Sequence, residues 1–265
     1  MAVIKMNFLS QALGMQTNVT ICLPSYSFAD RLAGREEVYV PGMKYQVLWL
    51  LHGGSGDDSD YVNFSNITRY ADDNKLAVVM PADYNASYDD DPNGRAKYRT
   101  FVAEELPKVC RTMFPLSDKR EDNFIAGLSM GGGGTGKISI NYPENYAAAL
   151  IMSSGGGLND PRPRPGMPAM APRDPKGPEK LRNLAIENIR SGKKVPQYFV
   201  TCGGDDGALE GAKFAYSFLK EQGYDVCFEE VPGYAHEWDF WDLTLRKAIK
   251  KWLPIRHSVI YPGEE

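Results

Sequence analysis

A serine in a glycine-flanked pentapeptide is the residue of this sequence best suited to nucleophilic chemistry. Gly127-Leu128-Ser129-Met130-Gly131 matches the pattern G-x-S-x-G. A strand is predicted over 123–126, directly before it, and a helix from Met130 onward. At such a sharp strand-to-helix turn the serine hydroxyl is exposed, and the flanking glycines relieve steric crowding. The pattern predicts that Ser129 is a nucleophile.

A serine hydroxyl needs a general base, and the chain contains three histidines, His52, His236 and His257. His236 follows the last predicted strand, which places it in a loop at the same sheet edge as Ser129. His257 lies beyond the last predicted helix and is assigned no role. We therefore predict that His236 is the base.

The third member of a serine triad is an acid that orients the imidazole. In the chain order Ser, acid, His, it should follow a strand between Ser129 and His236. The predicted strand over 197–201 runs into Cys202-Gly203-Gly204-Asp205-Asp206. Both aspartates are candidates, because one of them could cap the helix predicted to start near Ala208. Spacing alone does not separate them.

An oxyanion hole is predicted where His52-Gly53-Gly54 follows the apolar run over 45–51. Backbone N–H groups there, together with that of Met130, would cradle a tetrahedral oxyanion. The position of His52 beside this loop favours a structural role, in which its side chain ties the loop down by a hydrogen bond.

A phosphate-binding loop is the competing interpretation of the same glycines. The segment 131–137, GGGGTGK, fits G-x-x-x-x-G-K, but Ile138 stands where a magnesium-ligating Ser or Thr is required. The run also starts five residues after the predicted strand. Nucleotide binding is therefore disfavoured.

Short apolar runs that end at Gly or Pro alternate with helical patterns along the chain. This order predicts an α/β fold with a mostly parallel central sheet flanked by helices. Strands are expected over 18–23, 45–51, 76–80, 123–126, 147–152, 197–201 and 226–231. Helices are expected over 98–113 (kinked at Pro107), 130–141, 179–190, 208–222 and 239–253.

One domain, 1–265, is expected from the length of the chain. Within it, the segment 158–178 contains seven prolines, which exclude a helix or a central strand, so we expect a cap, a lid or a disordered connector there. The residues 254–265 are expected to form a tail.

Four tyrosine and phenylalanine side chains flank an acidic turn over 89–91 and are expected to be core rather than an aromatic substrate wall: Tyr84, Tyr88, Tyr98 and Phe101.

Composition narrows the classes of partner and compartment. The 34 acidic and 30 basic side chains give a net charge of −4 and no basic run, which disfavours nucleic acid. Lys5 and Asn7 interrupt the apolar residues of the amino terminus, so no signal peptide is predicted, and no apolar segment is long enough to span a membrane. The four cysteines form no C-x-x-C pair and are expected to be buried free thiols. A cytoplasmic protein is the expectation.

These motifs together resemble the esterase D-like "putative esterase" family of α/β-hydrolases, and within it the bacterial tributyrin esterases most of all. The similar motifs are LLHGGSGD at 50–57, EELPKV at 104–109, FIAGLSMGG at 124–132, CGGDD at 202–206 and AHEW at 235–238. The resemblance covers the chain to about Leu253. Four consecutive glycines after Met130 and the proline-rich 158–178, where the family builds its cap, depart from the family pattern.

The resemblance implies a role for each matching residue. Ser129 would be the nucleophile, His236 the base and Asp206, rather than Asp205, the acid, while the N–H groups of Gly54 and Met130 would form the oxyanion hole. It implies a serine carboxylesterase acting on short-chain acyl esters, among them acetyl or feruloyl esters of carbohydrates, without a metal or cofactor. An acyltransferase, an S-formylglutathione-type thioesterase and a silent binding protein are the alternatives on the same fold. The expected partner is a small-molecule ester, and a homo-oligomer is compatible with the sequence.

Overall fold

A central sheet organises the computed structural model, which describes residues 1–159 and 174–264. In these residues eight strands lie in the order β1-β2-β4-β3-β5-β6-β7-β8. They are β1 (Ala2–Ser10), β2 (Met15–Leu23), β3 (Gln46–Leu51), β4 (Leu76–Pro81), β5 (Asn123–Leu128), β6 (Ala148–Met152), β7 (Gln197–Gly203) and β8 (Val226–Val231). The strands β3 to β8 are parallel to their neighbours, whereas β1 and β2 are antiparallel. The predicted α/β fold with a mostly parallel sheet is confirmed.

Helices cover both faces of the sheet. They are α1 (Phe28–Leu32), α2 (Asp60–Phe64), α3 (Ile67–Asp73), α4 (Tyr98–Thr100), α5 (Leu106–Met113), α6 (Met130–Asn141), α7 (Gly177–Arg190), α8 (Leu209–Glu221) and α9 (Trp238–Lys247). Short 3₁₀ turns lie at Arg120–Asp122 and Pro143–Asn145.

Two apolar cores, one on each face of the sheet, hold these layers together. Successive side chains of a strand point to opposite faces, so Leu48 of β3 belongs to one core and Trp49 to the other. Every residue of β3 and β5 is buried, as expected for strands covered on both faces. This packing fixes the strand ends from which the candidate site residues project.

The first strand is absent from the sequence predictions. In β1 half-buried and exposed residues alternate along most of the strand, and Lys5 and Asn7 lie among them. Such alternation is typical of an antiparallel edge strand, one face of which meets water. The polar residues that interrupt the apolar run are therefore the outward face of a strand.

The helix predicted over 98–113 is divided in a way that Pro107 explains. The short α4 runs into a π-helical turn at Phe101–Glu105 and then into α5, in which Pro107 occupies the first turn. Proline is tolerated there because its missing N–H has no partner in the first turn. A second π-helical turn, Ala248–Trp252, follows α9.

The chain end and one cysteine differ from expectation. The segment 254–264, expected as a tail, packs on the body of the protein: Val259 and Ile260 are buried, and Ile260 exchanges backbone hydrogen bonds of 2.9 and 2.8 Å with Lys44. All four cysteines are free, but Cys227 on β8 is exposed rather than buried. Most of the predicted proline-rich cap, 160–173, lies outside the described residues.

Candidate active site

Ser129 occupies a strained turn between β5 and α6. Its backbone has φ 52° and ψ −113°, a conformation that non-glycine residues rarely adopt, and its N–H donates to the carbonyl of Met152 at 2.9 Å. A Cβ on Gly127 would lie 2.3 Å from the Gly131 carbonyl oxygen, and one on Gly131 would lie 2.2 Å from that of Leu51. Only glycine fits at both positions, so the pattern G-x-S-x-G is a steric requirement of this turn.

The structure brings Ser129, His236 and Asp206 together in one hydrogen-bonded line. His236 lies in the loop after β8, and its Nε2 is 2.9 Å from Ser129 Oγ. On the opposite side of the ring, Nδ1 is 2.9 Å from Asp206 Oδ2 and 3.0 Å from Oδ1. The three residues lie 77 and 30 positions apart in the sequence and meet because β5, β7 and β8 end at the same sheet edge.

The Asp206 carboxylate is buried and ionised. Burial by itself raises the pKa of this carboxyl, but hydrogen bonds from His236 and the Ala208 N–H, together with the nearby Ser153 hydroxyl, outweigh burial and lower the pKa to about 2. The Ala208 N–H donates to Oδ1 at 2.8 Å. An ionised Asp206 accepts from Nδ1–H, which leaves Nε2 free to accept the proton of Ser129.

Asp205, the neighbouring candidate, is directed elsewhere. Its side chain is exposed, while its backbone N–H donates to the Tyr234 carbonyl at 2.9 Å. Between the two aspartates that spacing leaves open, only Asp206 contacts His236. His257 is not part of the hydrogen-bonded line, since its Nδ1 instead lies 2.7 Å from the Asn74 amide oxygen.

The loop after β3 lies directly beside the nucleophile. A Cβ built on Gly53 would lie 2.6 Å from a Leu128 methyl and 3.7 Å from the Ser129 Cβ, so this loop approaches β5 more closely than a side chain allows. Gly54 is exposed next to it, and Met130 begins α6 on the other side of Ser129. The two predicted oxyanion donors therefore belong to segments that adjoin the serine.

His52 fixes the backbone of that loop. Its Nε2 accepts from the Asp83 N–H at 2.8 Å, and its Nδ1 lies 2.7 Å from the Gly53 carbonyl oxygen. The first contact requires an unprotonated Nε2, which makes Nδ1–H the donor to Gly53. Burial lowers the pKa of the imidazole, so the ring is neutral. The hydrogen bond expected of His52 from the sequence is present.

Residues of the loop after β4, which sequence reasoning missed, brace the oxyanion loop. Asn85 Oδ1 accepts from the Ser55 N–H at 2.7 Å, and Tyr88 OH donates to the His52 carbonyl at 3.1 Å. Ser55, Asn85 and Tyr88 all have positive φ, of 63°, 61° and 53°. Asn tolerates this region, and the segment DYNAS is rich in turn-forming residues, which is the only signal the sequence carried.

The glycine run is helical and does not form a phosphate loop. Gly131 to Gly136 lie inside α6, and Lys137 binds the Asp89 carboxylate and the Ser87 carbonyl, each through Nζ, at 2.5 and 2.9 Å. A Cβ on Gly134 would lie 2.5 Å from the Tyr88 ring, which accounts for a glycine at that position. The phosphate-loop interpretation of these glycines is therefore wrong.

Three of the four aromatic residues near the acidic turn are buried, as expected for core. Tyr88, Tyr98 and Phe101 are at most 4% exposed, whereas Tyr84 is 49% exposed.

Among the described residues, no group of three or more His, Cys, Asp or Glu side chains is arranged to hold a metal ion. No helix within residues 1–159 and 174–264 is long and apolar enough to cross a membrane.

Comparison with known proteins agrees with this geometry. Residues 10–196 match the family described as "Putative esterase". The chain belongs to this family. The membership confirms the predicted family and makes the chain a serine ester hydrolase with an α/β-hydrolase fold. The finer resemblance to tributyrin esterases stays a prediction.

Individual relatives are similar over almost the whole chain. An acetyl esterase of Caldicellulosiruptor saccharolyticus is 28% identical over 94% of this chain and 97% of its own length. An S-formylglutathione hydrolase of Staphylococcus aureus is 28% identical with a TM-score of 0.73, and fluorophosphonate-binding serine hydrolase F of the same organism is 29% identical with a TM-score of 0.75. Each structure covers 94% of this chain and matches over 97% of its own.

Proposed function

We propose that this esterase is a serine carboxylesterase for short-chain acyl esters, with Ser129, His236 and Asp206 as its catalytic triad. The observation that carries the proposal is the His236 ring, which hydrogen-bonds Ser129 through one nitrogen and the Asp206 carboxylate through the other. A surface histidine without a catalytic role is not expected to bridge a strained serine and a buried carboxylate. The arrangement matches the roles that nucleophilic acyl transfer requires.

In the proposed first step the Ser129 oxygen attacks the ester carbonyl carbon. His236 Nε2 takes the hydroxyl proton as the new C–O bond forms, and Asp206 stabilises the resulting imidazolium. The tetrahedral intermediate then collapses, the bond to the leaving alcohol breaks, and His236 returns its proton to that oxygen. The products are the alcohol and an acyl-serine.

In the second step water replaces the alcohol. His236 removes a proton from water as its oxygen attacks the acyl-serine, and the second tetrahedral intermediate collapses to release the carboxylic acid. The proton passes back to Ser129. The enzyme is regenerated without a metal or cofactor in any step.

The proposed oxyanion hole uses the backbone N–H groups of Gly54 and Met130. Met130 is the first residue of α6, so its N–H belongs to a helix end that favours developing negative charge. Gly54 lies on the loop that His52 and Asn85 tie to the loop after β4. Donors already fixed in place cost no reorganisation when charge develops on the substrate oxygen.

Acetyl esters are the first substrate class to test, because the acetyl esterase relative is similar along nearly its entire length. We extend the proposal to acetyl or feruloyl esters of carbohydrates. The S-formylglutathione hydrolase relative favours a second candidate, a thioesterase that uses the same triad on a formyl thioester. The proposed location is the cytoplasm, since all four thiols are free.

Hydrolysis of p-nitrophenyl acetate, butyrate and octanoate by wild type, Ser129→Ala and His236→Ala tests the proposal. We expect the wild type to prefer the short esters and both variants to lose nearly all activity. Wild-type turnover by Ser129→Ala would refute the triad. Parallel assays with acetylated xylose and S-formylglutathione decide between the carboxylesterase and the thioesterase.

A further inference from the structure

Ser153, directly after β6, is a buried residue in a strained conformation. It is fully buried with φ 51°, and its N–H donates to the Thr201 carbonyl at 2.9 Å. Non-glycine residues are held in this region only when their surroundings over-determine them, and such residues cluster at functional sites. Ser153 lies at the same sheet edge as the triad and has no role in the mechanism above.

The Ser153 hydroxyl lies between a tryptophan and the triad acid. Trp241 Nε1–H donates to Ser153 Oγ at 3.0 Å, and the hydroxyl lies close enough to the Asp206 carboxylate to help lower its pKa. Since an indole N–H can only donate, the hydroxyl proton is available for the carboxylate, which is the strongest acceptor in reach. Cys202 also contacts Ser153 and Asp206, but burial raises the pKa of its thiol to about 12, and a neutral thiol is a weak partner.

Trp241 contacts the triad a second time through its ring. The His236 and Trp241 rings meet at 89° with centroids 5.0 Å apart, the edge-to-face arrangement that aromatic pairs favour. Trp241 is 6% exposed on α9, the helix that begins two residues after His236. One indole thus touches the base directly and the acid through one hydroxyl.

We propose that Ser153 and Trp241, the positioning pair, hold the Asp206 carboxylate and the His236 ring in the orientation that proton transfer requires. This inference rests on the proposed function, since it assigns the pair to that triad. Neither residue touches the substrate. Both are positioning residues that act through Asp206 and His236.

The Asp206 carboxylate needs a further partner because hydrogen bonds to only one side of a carboxylate leave its plane free to rotate. Asp206 faces His236 with both oxygens, and the Ala208 N–H holds Oδ1. In the proposed arrangement the Ser153 hydroxyl is a further buried donor beside this carboxylate, and it limits rotation of the carboxylate. A displacement of ~1 Å at a catalytic group costs up to about 100-fold in rate.

The test uses p-nitrophenyl acetate kinetics of Ser153→Ala, Ser153→Gly, Trp241→Phe and the double variant Ser153→Ala/Trp241→Phe. We expect each single variant to lose ~10- to 100-fold in kcat with KM nearly unchanged, because orientation of the triad affects the transition state rather than binding. Ser153→Gly removes the hydroxyl and relieves the positive φ, so it loses activity without losing thermal stability. The double variant loses no more than about the larger single effect, because both changes break one hydrogen bond.

Two matched controls separate positioning from general damage to the core. Ser139→Ala removes another fully buried hydroxyl, one on α6 that hydrogen-bonds Tyr198, and Trp252→Phe shortens a tryptophan stacked on Phe199. Neither contacts the triad, so both are expected to change the melting temperature while kcat stays within about twofold.

Three results would overturn the inference: wild-type kcat in Ser153→Gly and Ser153→Ala, losses in KM alone, or fully additive losses in the double variant. Ser129→Ala in the same panel keeps the two proposals apart. If Ser129→Ala is inactive while the Ser153 and Trp241 variants are unimpaired, the positioning pair is wrong and the triad stands. If Ser129→Ala is as active as wild type, the triad itself is wrong.

Discussion

The imidazole of His236 faces the Asp206 carboxylate almost symmetrically, with Nδ1 3.0 Å from Oδ1 and 2.9 Å from Oδ2. The carboxylate side chain is 1% exposed and that of the imidazole 34% exposed, so the pair has a dry end and an open end. The open end points to Ser129. This difference in exposure suits a base that must exchange a proton with a substrate at one nitrogen while a buried carboxylate fixes its orientation at the other.

Replacing Asp206 by Asn is expected to lower kcat/KM for p-nitrophenyl acetate by about 10³- to 10⁴-fold. An amide can donate to Nδ1, which moves the imidazole proton to Nε2, where it can no longer accept from Ser129. Asp205→Asn is the matched control, because the Asp205 side chain is exposed. Equal losses in the two variants, or none in Asp206→Asn, would disprove the assignment of the acid.

Asn85 is expected to affect turnover through the oxyanion loop. Since its Oδ1 only accepts from the Ser55 N–H, Asn85→Asp keeps the interaction and should stay near wild type. Asn85→Gly suits the positive φ but lacks the acceptor, and should lose ~10-fold in kcat with little change in KM. Steady-state kinetics of the two variants compare the loop with and without the acceptor, at a backbone conformation that both residues tolerate. If Asn85→Gly keeps full kcat, the brace does not support catalysis.

Two adjacent glycines of α6 are expected to respond in opposite ways to alanine. A Cβ on Gly134 meets the Tyr88 ring at 2.5 Å. One on Gly133 has, among the described residues, only Ser154 Oγ at 3.8 Å and the Gly157 nitrogen at 4.0 Å nearby. Gly134→Ala should destabilise the protein by about 1–3 kcal/mol, and Gly133→Ala should stabilise it by up to ~1 kcal/mol, since alanine is the better helix former. Thermal unfolding of the two variants measures both effects, and melting temperatures that shift in the same direction would contradict the steric distinction between the two positions.

Asp83 is expected to make the stability of the protein depend on pH. Burial raises the pKa of its carboxyl to about 7, and hydrogen bonds from backbone N–H groups only partly offset this, because Oδ2 has no hydrogen-bond partner among the described residues. A folded-state pKa above the unfolded value gives a contribution that is complete below pH ~4 and lost as the pH rises through 7. Relative to Asp83→Asn, the wild type should therefore lose up to about 4 kcal/mol between pH 4 and pH 8.

Urea unfolding of wild type and Asp83→Asn at pH 4.5 and pH 8 checks this sign. The midpoint difference between the two proteins should change in favour of the variant at the higher pH. A constant difference would show that Asp83 does not titrate on unfolding in this range.

The sequence was informative where local geometry carries the function. The turn around Ser129 needs glycine at 127 and 131 for steric reasons, so a five-residue pattern was sufficient to locate it. His236 followed from the order of strands, because parallel strands end at one edge. The mostly parallel sheet followed for the same reason, from apolar runs such as that of β3.

The spacing of residues along the sequence does not predict contacts between distant loops. Asp205 and Asp206 are adjacent, and only the direction in which the loop after β7 turns decides which carboxylate meets His236. The pair Asn85–Ser55, 30 positions apart, joins two loops, and the pair Ser153–Trp241, 88 positions apart, joins the end of β6 to α9. Packing sets both approaches. The β1 strand was missed because an edge strand mixes polar with apolar residues.

Covalent labelling of Ser129 tests the proposed nucleophile most directly. Wild type, Ser129→Ala, His236→Ala and Asp205→Asn would be incubated with a fluorophosphonate probe, digested and analysed by mass spectrometry. We predict one adduct per chain on the peptide containing Ser129 in wild type and Asp205→Asn, slow labelling of His236→Ala and none of Ser129→Ala. An adduct on a different residue, or undiminished labelling of Ser129→Ala, would contradict the assignment of Ser129 as the nucleophile.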